Sequence, residues 1–335
     1  MNRRELLWQV GGGLGGIALT HLLAEEGILA ADESRAEPRT EENDGRHHPA
    51  KAKRVVQLFM SGAASQCDTF DYKPLLIKKN GQPFDPGGKV ELFQSDPGAV
   101  MASPWGWRQH GECGAWVSDL LPHLASCVDE IAFLPAMVST SNVHGPATFL
   151  QATGFLRPGF PSVGSWVSYE LGSLNDNLPT FVVLPDSRGF APNGPANWAA
   201  GFLPAEHQGT MIRPSAPRPI RALFPPDEGF LNSASEAEGR ELLAYLNREH
   251  ASERPGDSRL DARIASYELA ARLQLSAPEV LDLSGETEAT RRLYGLDQEI
   301  TADLGRNCLI ARRLLERGVR FIQIWSGADN GFPRR

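Results

Sequence analysis

Short apolar runs that end in turn residues alternate along this chain with segments of helical character. That alternation restricts the fold more than any other feature. The run Arg54–Met60 is apolar and β-branched and feeds Ser61-Gly62-Ala63-Ala64-Ser65. Ile131–Pro135, Phe181–Leu184 and Val319–Trp325 repeat the pattern. Runs of this length, bounded by turn residues, predict buried strands. Between them the spacing predicts helices over Ser118–Val128, Pro146–Thr153, Ser165–Leu171, Ala237–His250, Leu260–Leu275, Glu286–Tyr294 and Asp303–Arg317. Pro146 sits at a first helical position, and Gly154, Gly172 and Gly318 each come just after a predicted helix end, the usual start and stop residues. Residues 188–230 are dense in Pro and Gly and read as long surface loops able to lie over a site. Alternating strands and helices predict an α/β fold with a mostly parallel sheet flanked by helices. Sites in such sheets form at the carboxyl ends of the strands. The loops after Met60, Pro135 and Trp325 are therefore where chemistry is expected.

A chain of 335 residues is long enough for one large α/β domain or two smaller ones. Its 33 Lys and Arg against 41 Asp and Glu leave a net charge of −8. That balance argues against a nucleic-acid partner, which needs a basic face to neutralise phosphates. The four cysteines (Cys67, Cys113, Cys127 and Cys308) form no CxxC pair, so they read as buried free thiols rather than a zinc or redox motif.

Residues 1–31 carry Arg3-Arg4 ahead of a mild, glycine-rich apolar stretch and then Leu29-Ala30-Ala31. This resembles a twin-arginine export signal and makes the export machinery an expected partner. Gly11, Gly13 and Gly16 satisfy G-x-G-x-x-G, but a dinucleotide site needs the rest of a βαβ unit after it. Residues 32–53 supply no such unit: they are charged and aperiodic and read as a linker. The α/β body occupies residues 54–335.

Three segments carry candidate chemistry. In the first loop, Ser61, Asp68 and Asp71 come after a strand end. Oxygen donors of that kind suit a divalent cation, Ca, Mg, Mn or Zn. The alternative is a hydrogen-bonded turn with the two aspartates capping a short helix. In the second, Asn142, His144 and Gly145 precede the helix at Pro146, where free N–H groups and the helix dipole favour an anion. His144 is then a ligand, a nucleophile or a general acid; otherwise it is a structural hydrogen-bonding residue. Arg157, past Thr153-Gly154, is an arginine able to grip an anion bidentately. In the third, Asp329 lies past the last strand as a candidate ligand, or belongs to an Asp-Asn-Gly turn.

Several of these segments together resemble a bacterial family of exported proteins, domain-of-unknown-function family 1501. The matching stretches are Leu58–Pro74, Pro104-Trp105 with Gln109-His110-Gly111, Trp116–His123, and His144–Ala147 with Thr153-Gly154. Pro161–Gly172, Arg263–Leu269, Leu281–Glu286 and Gly318–Gln323 continue the match through the body.

That family is similar to the alkaline phosphatase and sulfatase superfamily. The resemblance implies metal-assisted hydrolysis of sulfate or phosphate esters, of small molecules or polysaccharides, with His144 as the catalytic group. Asn142, Gly145 and Arg157 would bind substrate, and Ser61, Asp68, Asp71 and Asp329 would hold the metal. Ser61 stands where the superfamily carries a metal-binding Asp. His144-Gly145-Pro146 falls where sulfatases carry the Cys-x-Pro that forms formylglycine, so that chemistry is not expected. The resemblance also implies a fold incomplete at its C-terminal end, since further Asp-His ligand segments would lie beyond Arg335. Two alternatives remain: a non-catalytic binding protein for an anionic polysaccharide, and an inactive fragment.

Overall fold

The computed structural model of the chain describes residues 51–85, 87–88, 98–175, 177–216, 219–220, 233–254, 260, 264 and 279–328. The signal-like segment, the linker up to residue 50, residues 221–230, nearly all of the predicted helix Leu260–Leu275 and Asp329 lie outside the described residues. A unit boundary falls between Lys53 and Arg54, and the helices and strands of the described residues all lie in the second unit, Arg54–Arg335.

Along the chain run β1 (Val55–Met60), α1 (Gln66–Thr69), α2 (Pro74–Lys78), β2 (Trp107–His110), β3 (Ala115–Ser118), α3 (Pro122–Ala125), α4 (His144–Thr153) and α5 (Val163–Leu171). Then come β4 (Phe181–Leu184), β5 (Thr210–Met211), α6 (Ser233–Ser252), α7 (Glu288–Leu293), α8 (Glu299–Glu316) and β6 (Phe321–Ser326). Four strands form a parallel sheet in the order β1-β6-β4-β5. Its register pairs Val55 with Phe321 and Met60 with Ser326 on one side of β6, and Phe181 with Phe321 and Leu184 with Ile324 on the other. The α/β class and the parallel sheet flanked by helices are as the alternation predicts.

The two central strands are apolar at nearly every position because both of their faces are covered. On one face Val182, Leu184, Ile322 and Ile324 pack with Ile310, Ala311 and Leu314 of α8. On the other, Phe181, Val183, Phe321 and Trp325 pack with Trp198 and with Val167 of α5. Each such side chain contributes about 1.5–3 kcal/mol by leaving water. Helix α5 is started by Ser162, whose hydroxyl accepts the Ser165 N–H, and is stopped at Gly172 with φ +60°. Strand β1 lies at the sheet edge, and Val55, Leu58 and Met60 are exposed there.

Two predictions fail between residues 118 and 135. Ser118–Val128 is not one helix: β3 ends at Ser118, and Pro122 starts a separate single turn, α3. A proline inside the predicted span cannot donate to the turn before it. Nor is Ile131–Pro135 a strand. Phe133 instead packs on Phe70, with ring centroids 5.3 Å apart, in a satellite core with Val117, Ala125 and Val128. The run contributes one half-buried ring to that core, and Leu134 beside it stays exposed. Two cysteines also depart from expectation: all four are free, but Cys113 and Cys127 are exposed. Among the described residues, no helix is long and apolar enough to cross a membrane.

Candidate functional site

Because the four sheet strands are parallel, their carboxyl ends share one edge, and the connections leaving that edge converge. The β1–β6 ladder runs one step past β1, with the Ser61 N–H donating to the Ser326 carbonyl at 2.7 Å. Next to it, the Gly327 N–H donates to Asp186 Oδ2 at 2.6 Å. Asp186 is the second residue after β4, so it joins the β4 end to the β6 end. Arg188 clasps the same carboxylate, Nε to Oδ1 at 2.9 Å and Nη2 to Oδ2 at 2.7 Å. Burial opposes the charge on Asp186, but the Arg188 side chain and the N–H groups of Gly327 and Arg188 outweigh it and hold the carboxyl at about 2. The group is a fixed anion at any ordinary pH.

The loop beyond Asp186 continues across the edge. A Cβ on Gly189 would sit 3.4 Å from Ala328, so the loop passes close to the chain leaving β6. The loop ends at Asn193, a left-handed residue with φ +69°. Asn193 Nδ2 donates to the Gly145 carbonyl at 2.8 Å and ties the first turn of α4 to the same edge. Asn142 and His144 are exposed there, and neither side chain is hydrogen-bonded among the described residues. Sequence reasoning missed Asp186 and Asn193. The signal was present in an aspartate just past the predicted strand Phe181–Leu184, the one strand end left out of the expected loops.

The other candidates are not gathered with His144. Ser65 Oγ donates to Asp68 Oδ2 at 2.6 Å within the first turn of α1, and Lys73 Nζ donates to Asp71 Oδ1 at 2.8 Å. Asp68 is thus engaged by a hydroxyl in its own turn, and Asp71 by an ion pair with Lys73. Arg157 lies past the opposite end of α4, with its guanidinium 5.8 Å from the Phe160 ring. A ten-residue helix is about 15 Å long, so Arg157 and His144 flank opposite ends of one rod. Among the described residues, no three His, Cys, Asp or Glu side chains are grouped so as to hold a metal ion. The divalent cation implied by the resemblance therefore finds no complete donor set in them: Ser61 offers a hydroxyl where a carboxylate is needed, and Asp68 and Asp71 are already engaged.

A family model described as "Protein of unknown function (DUF1501)" matches residues 52–332. The chain belongs to that family. No curated protein and no solved structure matches. The match spans the entire sheet, so the Asp186–Gly327 junction and the α4 entry both lie within this DUF1501 domain.

Proposed function

We propose that this chain is an exported sulfatase-like protein that acts on sulfate or phosphate esters, of small molecules or polysaccharides, at the carboxyl edge of its parallel sheet. One observation carries the reading: Asp186 and Asn193 bind the ends of β4 and β6 and the start of α4 into a single edge, with His144 exposed on it. The first turn of α4 offers N–H groups and the positive end of a helix dipole to an anionic ester. His144 is the group able to give a proton to the departing ester oxygen while water attacks phosphorus or sulfur. Residues 1–31 address the protein to twin-arginine export, and so to the periplasm or cell surface.

A second reading has its own support. With Ser61 in place of a carboxylate and no group of three metal-ligating side chains among the described residues, the edge also suits binding of an anionic polysaccharide without hydrolysis.

Turnover of 4-nitrophenyl sulfate and 4-nitrophenyl phosphate by the full chain, with and without a chelator, tests both. Turnover lost in His144→Ala supports the hydrolase, and loss with chelator as well would mean that a divalent cation takes part. Saturable binding of dextran sulfate without turnover, unaffected by chelator, supports the second reading. Neither turnover nor binding would overturn both.

A further inference from the structure

Beside the Asp186 edge, between the ends of β4 and β5 and the second turn of α8, lies a half-open cleft of about 400 Å³. Arg213, Arg306, Asp303, Ser187 and Ser215 line it. That size falls within the range of small-ligand pockets, roughly 300–1,000 Å³.

Its two arginines are unlike their neighbours. Arg312 and Arg313 pair with Glu286, Arg317 with Glu279 and Arg188 with Asp186. Arg213 and Arg306 are half-buried, and among the described residues neither guanidinium is ion-paired or hydrogen-bonded. The Arg213 guanidinium is fixed on its stem by the Phe190 ring, 4.6 Å away. A partly desolvated cation without a direct counter-charge is costly unless a ligand supplies one.

The third charged group is already oriented. Ser215 Oγ donates to Asp303 Oδ1 at 2.7 Å. The Ser187 and Ser215 hydroxyls, helped by the charge of Arg306, keep the Asp303 carboxyl below its ordinary range, so it remains an acceptor. The wall of the cleft is rigid as well. Asn307, buried on α8, donates Nδ2 to the Pro185 carbonyl at 2.9 Å and locks the helix to the end of β4.

We propose that this cleft binds a small hydroxylated anion, such as a phosphorylated or sulfated monosaccharide. Arg213 and Arg306 take the anionic group, and Asp303 accepts a hydroxyl of the same molecule. The planar guanidinium fork can donate to two oxygens of a tetrahedral phosphate or sulfate at once, so an arginine pair suits such a group. A carboxylate beside them repels a bare anion and favours one that carries a hydroxyl donor. The assignment is independent of hydrolysis at His144.

The test is calorimetric titration of the full chain with glucose 6-phosphate, inorganic phosphate and glucose, repeated in His144→Ala. Glucose 6-phosphate is expected to bind saturably and about tenfold more tightly than inorganic phosphate, with no heat from glucose, because both the anion and the hydroxyl contacts are needed. Arg306→Gln and Arg213→Gln should each weaken it about tenfold or more, the effect of losing one charge-assisted bond. Among the described residues Arg306 makes no hydrogen bond or ion pair that holds the fold, so Arg306→Gln should melt with the parent. Asp303→Asn should abolish the preference for glucose 6-phosphate over inorganic phosphate, since it weakens the hydroxyl contact and lifts the repulsion of the bare anion. His144→Ala should change nothing, so failure of the ester-hydrolase reading leaves this result intact. Absence of saturable glucose 6-phosphate binding, or an affinity indifferent to Arg306→Gln, would overturn the proposal.

Discussion

Asp186 Oδ2 accepts the backbone N–H of Gly327 at 2.6 Å, so the residue just past one central strand fastens the backbone just past the other. This junction predicts a specific pH dependence. The folded carboxyl is held at about 2, below an unfolded value of about 3.9. A depressed carboxyl contributes stability above its unfolded pKa and loses it as pH falls through the folded one. The contribution should therefore be complete above about pH 4 and disappear toward pH 2. Arg188 is 70% exposed, and screening by water reduces the contribution to about 1–2 kcal/mol. Asp186→Asn should be less stable than the parent by that amount at pH 7, and the gap should close by about pH 2. Urea unfolding of both proteins across this range measures it. A gap that does not change with pH would contradict the assignment.

Gly327 is the other half of the junction, and its backbone constrains what can replace it. Its φ is +102°, and an added Cβ would lie 2.9 Å from the Ser61 carbonyl oxygen. Gly327→Ala should therefore cost about 2–3 kcal/mol, combining the strain of a positive φ with a displaced neighbour. Denaturant unfolding reads the cost directly. A loss below about 0.5 kcal/mol, the size of an ordinary surface substitution, would mean that β1 and β6 tolerate separation at this point.

Much of this architecture is legible in the sequence, for physical reasons. Phe181–Leu184 and Val319–Trp325 read as strands because they are buried on both faces and are therefore almost wholly apolar, with Gln323 the one polar side chain inside the central stretch Phe321–Trp325. The helices α4, α5 and α8 announce themselves through Pro146, Gly154, Gly172 and Gly318, while the N-cap of α5, Ser162, lies ahead of the predicted start at Ser165. Two-residue β5 is invisible, since Thr210–Met211 is too short to carry a period. Ile131–Pro135 shows the converse, an apolar run that pairs with no strand and packs only through Phe133, with Leu134 left exposed. The candidate site was only half legible. His144 and Gly145 were marked by the helix start expected at Pro146, although α4 begins two residues earlier, at His144 itself. Asp186, Asn193 and the Arg213–Arg306 cleft depend on which strand ends become neighbours, and the order β1-β6-β4-β5 is not written in any local pattern.

A partly buried amide pair offers a third prediction. Gln323, 1% exposed at the centre of β6, donates Nε2 to Gln57 Oε1 on β1 at 2.7 Å. Its own Oε1 is buried and has no partner. Gln57→Leu would leave both ends of the Gln323 amide unsatisfied, at a cost of about 1–3 kcal/mol. Changing both residues to Leu should recover most of that loss, because no polar group then remains to desolvate. A double-mutant cycle in urea is the measurement. Additive losses would show that the two amides do not depend on each other.

The packing of α8 against the turn after α7 depends on one small residue. An added Cβ at Gly305 would collide with the Tyr294 carbonyl oxygen, which is backbone and cannot swing aside. Gly305→Ala gains helix propensity of about 0.8–1 kcal/mol, but it has to push the Tyr294–Leu296 turn away from α8. That turn is held by Thr301, whose hydroxyl donates to the Gly295 carbonyl at 2.6 Å. The collision should outweigh the propensity gain and leave a net loss of about 1–3 kcal/mol, the usual range for overpacking. Gly239, by contrast, lies within α6 with nothing near its added Cβ, so Gly239→Ala should stabilise by roughly the propensity difference alone. Thermal unfolding of the two variants beside the parent gives shifts of opposite sign if the Tyr294 contact decides the outcome at Gly305. Shifts of the same upward sign would mean that the turn moves freely and α8 is not fixed by it.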